Sequence, residues 1–312
     1  MEYRVLGKTG LKVSAVSVGC WQMGGVTGGW TGTTDEESIA TIHRAEELGI
    51  NLLDTARTYG EGHSEEIIGQ ALKDRRDRYV VATKVGPITD DPNEEKARQW
   101  IVEACEGSLQ RLQTDYIDVY QLHTVPHEDT MAAVMEALAG LKREGKIRWF
   151  GISTNDIDAI RKLMALGDLA TLQVGYNLLY RDGEEVLQLA ARENLGTLIR
   201  IPLGSGALSG RYFGTRPQLD DEDRRRERFT SDRAIATLQH LSKLLFLTEG
   251  ERRTMVQAAL RFILDTEGVT SVIPGAKSRV QLEENAGAAG VPALTDEERE
   301  RACAIAGQVE RL

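Results

Sequence analysis

Short apolar runs alternate with amphipathic stretches along almost the whole chain, and this alternation limits the fold more than any other feature. Eight runs are rich in β-branched residues and bounded by turn formers: 15–19, 50–54, 79–84, 116–123, 146–153, 171–177, 196–202 and 269–274. Such runs are buried strands of a parallel sheet. Between them lie stretches with apolar residues at helical spacing. The first opens at Thr34, with Glu37 three residues on as a capping box, and stops at Gly49. Others cover 64–73, 94–112, 129–144, 156–166, 184–194 and 251–266. The first seven strand starts are 25 to 37 residues apart. That is the length of a βα unit, and eight such units close a (β/α)8 TIM barrel. An open doubly wound sheet is the nearest alternative.

The gap from Gly196 to Val269 is too long for one unit, so an extra helix is expected at 231–247. The tail, 294–309, reads as another extra helix, opened by a second capping box. At the start, YRVLGKTGLKVS has alternating residues around a Gly-rich turn, which is a β-hairpin signal. The expected organisation is one barrel domain over residues 1–312, with the hairpin across its bottom.

Composition narrows the function. With 38 basic and 48 acidic residues the net charge is −10, which argues against general nucleic-acid or membrane-surface binding. The run of Arg224, Arg225 and Arg226 sits among acids and reads as a solvated face. Three distant cysteines, Cys20, Cys105 and Cys303, suggest neither a disulfide framework nor a CxxC metal site. The first residues lack the apolar core of a signal peptide, and no run reaches the roughly 20 apolar residues of a membrane span. A cytoplasmic protein is expected. The five histidines lack ligand spacing, so no metal is expected. Nothing marks an oligomer interface.

A barrel collects its function at the C-terminal ends of its strands. Polar residues stand there in series: Asp54, Lys84, His123, Ser153 with Asn155, Gln173 and Arg200, with Tyr59 just past the second strand. Asp54, Tyr59, Lys84 and His123 make chemical sense together. A free phenol ionises near pH ~10, and a neighbouring ammonium stabilises its anion. Asp54 would hold Lys84 charged, and His123 would orient a carbonyl beside Tyr59. This is a constellation for general acid catalysis at a carbonyl. A barrel lysine can instead form a Schiff base, as in an aldolase, but a paired carboxylate keeps Lys84 protonated.

These residues carry a resemblance to the aldo-keto reductase family. DTARTYGEGHSEEIIGQAL, Thr83–Lys84, YIDVYQLH, GISTN, LQVGYN, IPLGSGALSGRY and VIPGAKSRVQLEEN are similar to that family's motifs, in the family's order. The resemblance implies NADPH, with NADH possible, lying across the barrel's C-terminal face, and hydride transfer to an aldehyde or ketone. It implies Tyr59 as the acid in a tetrad with Asp54, Lys84 and His123. Ser153, Asn155 and Gln173 resemble the clamp on the nicotinamide carboxamide. Arg200 stands where many members have a ring-stacking aromatic, and an arginine plane can stack too. Pro202 and Leu203 follow it, and Gly204, Gly206, Leu208 and Ser209 would lie under the pyrophosphate, with Arg211 adding charge. Gly275, Lys277, Ser278, Arg279, Gln281 and Asn285 resemble the adenosine-phosphate site, with a cationic patch suited to a 2′-phosphate. Trp21 resembles the substrate-pocket aromatic, and Trp30 shares its loop. The acidic loop 87–93 and Phe213 would shape substrate choice. The expected partner is a small carbonyl compound. A cofactor-holding, redox-sensing subunit with low turnover is the alternative within the same resemblance.

Overall fold

The computed structural model describes residues 1–28, 30–86, 92–223 and 225–309. Two short strands come first, β1 (Tyr3–Val5) and β2 (Lys12–Ser14), paired antiparallel as the hairpin pattern predicts. Eight parallel strands follow: β3 (Val18–Gly19), β4 (Leu52–Asp54), β5 (Val80–Val85), β6 (Ile117–Leu122), β7 (Ile147–Ser153), β8 (Thr171–Gly175), β9 (Gly196–Arg200) and β10 (Ser271–Val272). Each pairs with the next in chain order. Parallel bridges from Val16 to Val272 and from Gly19 to Gly275 join the first strand to the last and close the (β/α)8 barrel. Seven of the eight expected runs contain a barrel strand, trimmed at one or both ends, and the run 79–84 holds all of β5 but its last residue, Val85.

The barrel helices are α1 (Asp35–Glu47), α2 (His63–Ala71), α3 (Glu94–Leu112), α4 (Met131–Arg143), α5 (Ile157–Leu166) and α6 (Glu184–Arg192). The long β9–β10 connection holds a five-residue α7 (Arg226–Thr230) and α8 (Asp232–Leu241), before the barrel helix α9 (Met255–Leu264). After β10 come α10 (Arg279–Gly287) and α11 (Asp296–Ala306). The extra helix expected at 231–247 is therefore shorter. It passes at Ser242 into a 3-10 stretch that reaches Glu251. The short α7 is an addition that sequence pattern does not signal, because five residues carry no readable period.

The helix faces explain the layering. In α4, Met131, Val134, Leu138 and Leu141 are buried at three- and four-residue spacing, so one stripe packs on the sheet. Of the two expected capping boxes, the one at Thr295 and Glu298 is complete. At α1 only half forms. The Thr34 side chain accepts from the Glu37 amide, while the Glu37 carboxylate turns to Arg279.

Inside the barrel, inward and outward positions alternate along each strand. Leu52, Val80, Ala82, Val119 and Leu198 fill the lower interior, and Leu6 and Val13 of the hairpin complete that cluster. The hairpin is thus the barrel's bottom plug. Gly7 approaches β9 so closely that a Cβ would sit 2.2 Å from the Gly196 nitrogen. Two residues farther along their strands than Leu52, Ala82 and Val119 stand Asp54, Lys84 and Gln121. The floor is apolar and the upper layer is polar.

Leu6 is fully buried in this plug. Leu6→Ala is expected to lower stability by about 2–5 kcal/mol, the usual cost of emptying a leucine-sized core site. A shift of the urea unfolding midpoint without a change in slope checks this.

Candidate active site

The polar layer is organised by Lys84. Its ammonium is fully buried and donates to the Asp54 carboxylate at 2.7 Å, the Thr55 carbonyl at 2.7 Å and the Tyr59 hydroxyl at 3.4 Å. Burial acts most strongly and lowers its pKa, but Asp54 and Tyr59, through charge and hydrogen bonds together, hold Lys84 above the ordinary lysine value. Asp54 is caged. One carboxylate oxygen takes the lysine, and the other accepts the Gln173 amide at 2.7 Å and the Gln121 amide at 3.4 Å. Burial raises the carboxyl, and these three donors pull against it.

Tyr59 is carried on the loop after β4. Gly60 behind it takes φ 61°, and a Cβ there would fall 2.2 Å from the Gly24 carbonyl oxygen. Only a glycine lets the Tyr59 loop press against the loop after β3 in this way. That contact brings Trp21 onto the Tyr59 ring, stacked at 5.7 Å, while Trp30 meets Trp21 edge-on at 5.4 Å. His123 meets Tyr59 edge-on at 5.8 Å from the other side. Burial raises the Tyr59 pKa above 10, and Lys84 only moderates the rise. This corrects the expectation of a lowered phenol: the low-dielectric wall outweighs one shared ammonium. The phenol is fully protonated at neutral pH. Burial, with the charges of Lys84 and Arg200, pushes the His123 imidazole down to about 3, so it is neutral.

These groups face a cavity of about 630 Å³ that runs from Asp54, Tyr59 and His123 to Gln281 and Asn285. Trp21, Trp30, Gln173, Arg200, Pro202, Leu203, Gly206, Ser209, Arg211, Gly275 and Lys277 also line it. Most of the residues singled out from sequence thus come to one cleft, though some have other partners. Ser153 pairs in register with Gln173 at the end of β7. Asn155 spends both ends of its amide on the Gly175 backbone, at 2.8 Å each. Leu208 is fully buried in the core, and Gly204 sits behind the lining with φ 57°. Ser278 caps α10 by accepting from the Gln281 amide. Arg279 is drawn out to Glu37, at 3.3 Å. Lys277 donates to the Thr31 carbonyl at 2.6 Å. Asn285 and Gln281 hold the turn at Gly275 and Lys277 through backbone bonds. Of the acidic loop 87–93, residues 87–91 lie outside the described residues.

Other lining groups are not signalled by the sequence. Arg225, from the run read as a solvated face, lines the cavity, sits over the Trp30 ring at 5.1 Å and grips Asp223. Burial would raise the Asp223 carboxyl, but the Arg225 bonds hold it down to about 2. Its two-residue offset from Asp223 looks the same in a solvated run, so no pattern separates the two cases. Gln22 bridges Gly19 and Ala276 across the barrel seam. Gln121, behind the lining, holds Asp54 from β6 and has no local signal beyond being a polar residue inside an apolar strand.

Among the described residues there is no cluster of three possible metal ligands, and no helix is long and apolar enough to cross a membrane. A family model for the Aldo/keto reductase family matches residues 15–306. The chain therefore belongs to the aldo/keto reductase family, a family of oxidoreductases. It is 37% identical over 298 residues to the protein named Aldo-keto reductase YhdN of Bacillus subtilis, covering 91% of this chain and 87% of that one. It is 34% identical over 306 residues to an NADH-specific methylglyoxal reductase of Escherichia coli, covering 92% and 93%. Its fold matches an aldo/keto reductase from Klebsiella pneumoniae in complex with NADP and acetate, with TM-score 0.77 and 26% identity over 100% of this chain and 99% of that one.

Removing one member of a buried ion pair leaves the other charge unpaired, at a cost of about 3–5 kcal/mol. Asp54→Leu is expected to destabilise the protein by that order, and Asp54→Leu combined with Lys84→Met to recover much of it. Chemical denaturation of the two variants tests this.

Proposed function

We propose that this protein reduces an aldehyde or ketone to an alcohol, using a nicotinamide dinucleotide, with Tyr59 as the general acid. The observation that carries the reading is the buried ammonium of Lys84, shared between Asp54 and the hydroxyl of Tyr59 at the floor of the cavity. A carbonyl oxygen placed between Tyr59 and His123 would meet a phenol that is protonated at neutral pH. As that proton moves to the oxygen, the phenolate left behind faces Lys84, which stabilises it where the charge develops. Asp54 keeps Lys84 protonated and aimed. His123, neutral, orients the carbonyl oxygen rather than delivering a proton. Trp21 and Trp30 give the substrate an apolar wall and keep water from the acid. The substrate class this suits is a small carbonyl compound.

The residues present fit the dinucleotide. The cavity is lined by Tyr59 and by the cations Arg200, Arg211, Arg225 and Lys277, and holds a buried Arg200 Nε without a hydrogen-bond partner among the described residues. When bound, the cofactor supplies the hydride. Ser153 and Gln173 would hold its carboxamide, Arg200 its ring, Gly206, Ser209 and Arg211 its pyrophosphate, and Gly275, Lys277, Gln281 and Asn285 its adenosine end. An aldolase use of Lys84 has nothing in its favour, because all three N–H groups have acceptors and the amine is ion-paired. Tyr59→Phe is expected to lower kcat by about 10²–10⁴-fold, the usual worth of a positioned acid. Cofactor affinity should stay within about twofold. Steady-state reduction of a general aldehyde such as 4-nitrobenzaldehyde, with fluorescence titration of the cofactor, tests it. Intact turnover would sink the reading.

NADPH is the first cofactor we assign, on the cations of Lys277 and Arg279 at the adenosine end. One observation favours NADH as a second reading: Arg279 is already engaged by the Glu37 carboxylate, and a carboxylate at that end suits a ribose hydroxyl better than a phosphate. The two readings separate in Glu37→Ala. Releasing Arg279 is expected to raise NADPH affinity about tenfold relative to NADH. Equal dissociation constants before and after the substitution would place Arg279 away from the ribose.

A further inference from the structure

Among the described residues two cations act on Tyr59, and only one of them has an ion-pair partner. Lys84 is paired with Asp54. Arg200, at the end of β9, lines the cavity, and its charge reaches both Tyr59 and His123. Among the described residues no carboxylate lies within ion-pair distance of it; Asp182 acts on it only from farther off. Its Nε is buried without a hydrogen-bond partner. A desolvated cation is costly unless something compensates it.

The surroundings hold this guanidinium in one attitude. A Cβ built on Gly175 would lie 3.0 Å from Cζ, Nη1 and Nη2 of Arg200 alike. Equal distances mean that Gly175 meets the face of the guanidinium, not its edge. The seat itself is fixed, since Asn155 accepts from the Gly175 amide and donates to its carbonyl. The next residue, Ile201, takes φ 48°, a conformation rare for a β-branched residue. Its carbonyl accepts from the Asn177 side-chain amide at 2.8 Å, which helps to hold that strained turn. Two asparagines and a strained residue therefore present a bare, flat cation beside the acid.

We propose that Arg200 discriminates between the redox forms of the nicotinamide ring, so that the site binds the neutral reduced cofactor more tightly than the cationic oxidised one. This rests on the reductase reading above. The reduced and oxidised dinucleotides share their adenosine and pyrophosphate and differ by one hydride, hence by one positive charge on the ring. With Lys84 cancelled by Asp54, and Tyr59 and His123 neutral, Arg200 sets the local field, and like charges repel. Its consequence is easy release of the oxidised cofactor after carbonyl reduction. Gly175 and Asn155 act through Arg200 as positioning residues.

The ratio of dissociation constants for reduced and oxidised cofactor cancels every contact except those at the ring. We would measure it for NADPH and NADP⁺, and for NADH and NAD⁺, by quenching of tryptophan fluorescence on the full chain. The wild type is expected to prefer the reduced form about tenfold or more. Arg200→Met should bring the ratio to within about twofold, chiefly by tightening the oxidised form. Arg200→Lys should retain the preference, and Gly175→Ala, which displaces the guanidinium, should reduce it. A ratio unchanged in Arg200→Met overturns the proposal, including the case where both forms weaken equally, as loss of mere packing would cause. Failure of the folded wild type to bind any of the four would instead overturn the reductase reading.

Discussion

A lysine with no solvent contact is the constraint around which the upper half of this barrel is arranged. Lys84 keeps its charge only because its three N–H groups find Asp54, Thr55 and Tyr59. Desolvating both ions costs several kcal/mol each unless geometry and hydrogen bonds offset it. The offset comes from neighbouring strands. β4 supplies Asp54, and β6 and β8 supply the glutamine amides on its second oxygen. A parallel barrel can do this because each strand end is at the same height as its neighbours. The apolar plug below, built by the hairpin, keeps water from reaching the pair from the other side.

The same pair sets the surroundings of the Tyr59 hydroxyl. Burial raises the Tyr59 phenol, and among the described residues the Lys84 ammonium is the positive charge that touches its hydroxyl and moderates the rise. Arg200 acts from farther away, and among the described residues it has no ion-pair partner. Among the described residues, the cleft thus carries one ion-paired cation under Tyr59 and one cation without an ion-pair partner beside it. Farther along, the charges are spent on the protein itself: Arg225 on Asp223, Arg279 on Glu37, Lys277 on the Thr31 carbonyl. Arg279 and Lys277 thereby link α10 and its preceding turn to the segment around α1, and Arg225 brings the β9–β10 connection against Trp30.

Much of this was legible from residue order. The eight strand runs, the bottom hairpin and the polar residues Asp54, Lys84 and His123 at strand ends could be read because each depends on local pattern: β-branched runs, a Gly-rich turn, a polar residue where an apolar run ends. The complete capping box at Thr295 was legible for the same reason. Thr34 has the same signature, yet its glutamate is diverted to Arg279, 242 residues away. Asn155 likewise turned out to serve the Gly175 backbone, and Arg225 left the apparently solvated run for the cavity wall. Each of these departures involves a long or amide side chain with two competing partners. Local sequence names only one of them.

By itself, the sequence determined the order of elements, their periodicity and the chemical types at the strand ends, because these follow from side-chain pattern within a few turns of chain. Only the tertiary structure decided which charges cancel. The Lys84–Asp54 bond spans 30 residues, the Gln173–Asp54 bond spans 119, and the seat of Arg200 is a glycine on the neighbouring strand. Electrostatic energy depends on distance and on how much water remains between charges. Both are fixed only when the barrel closes.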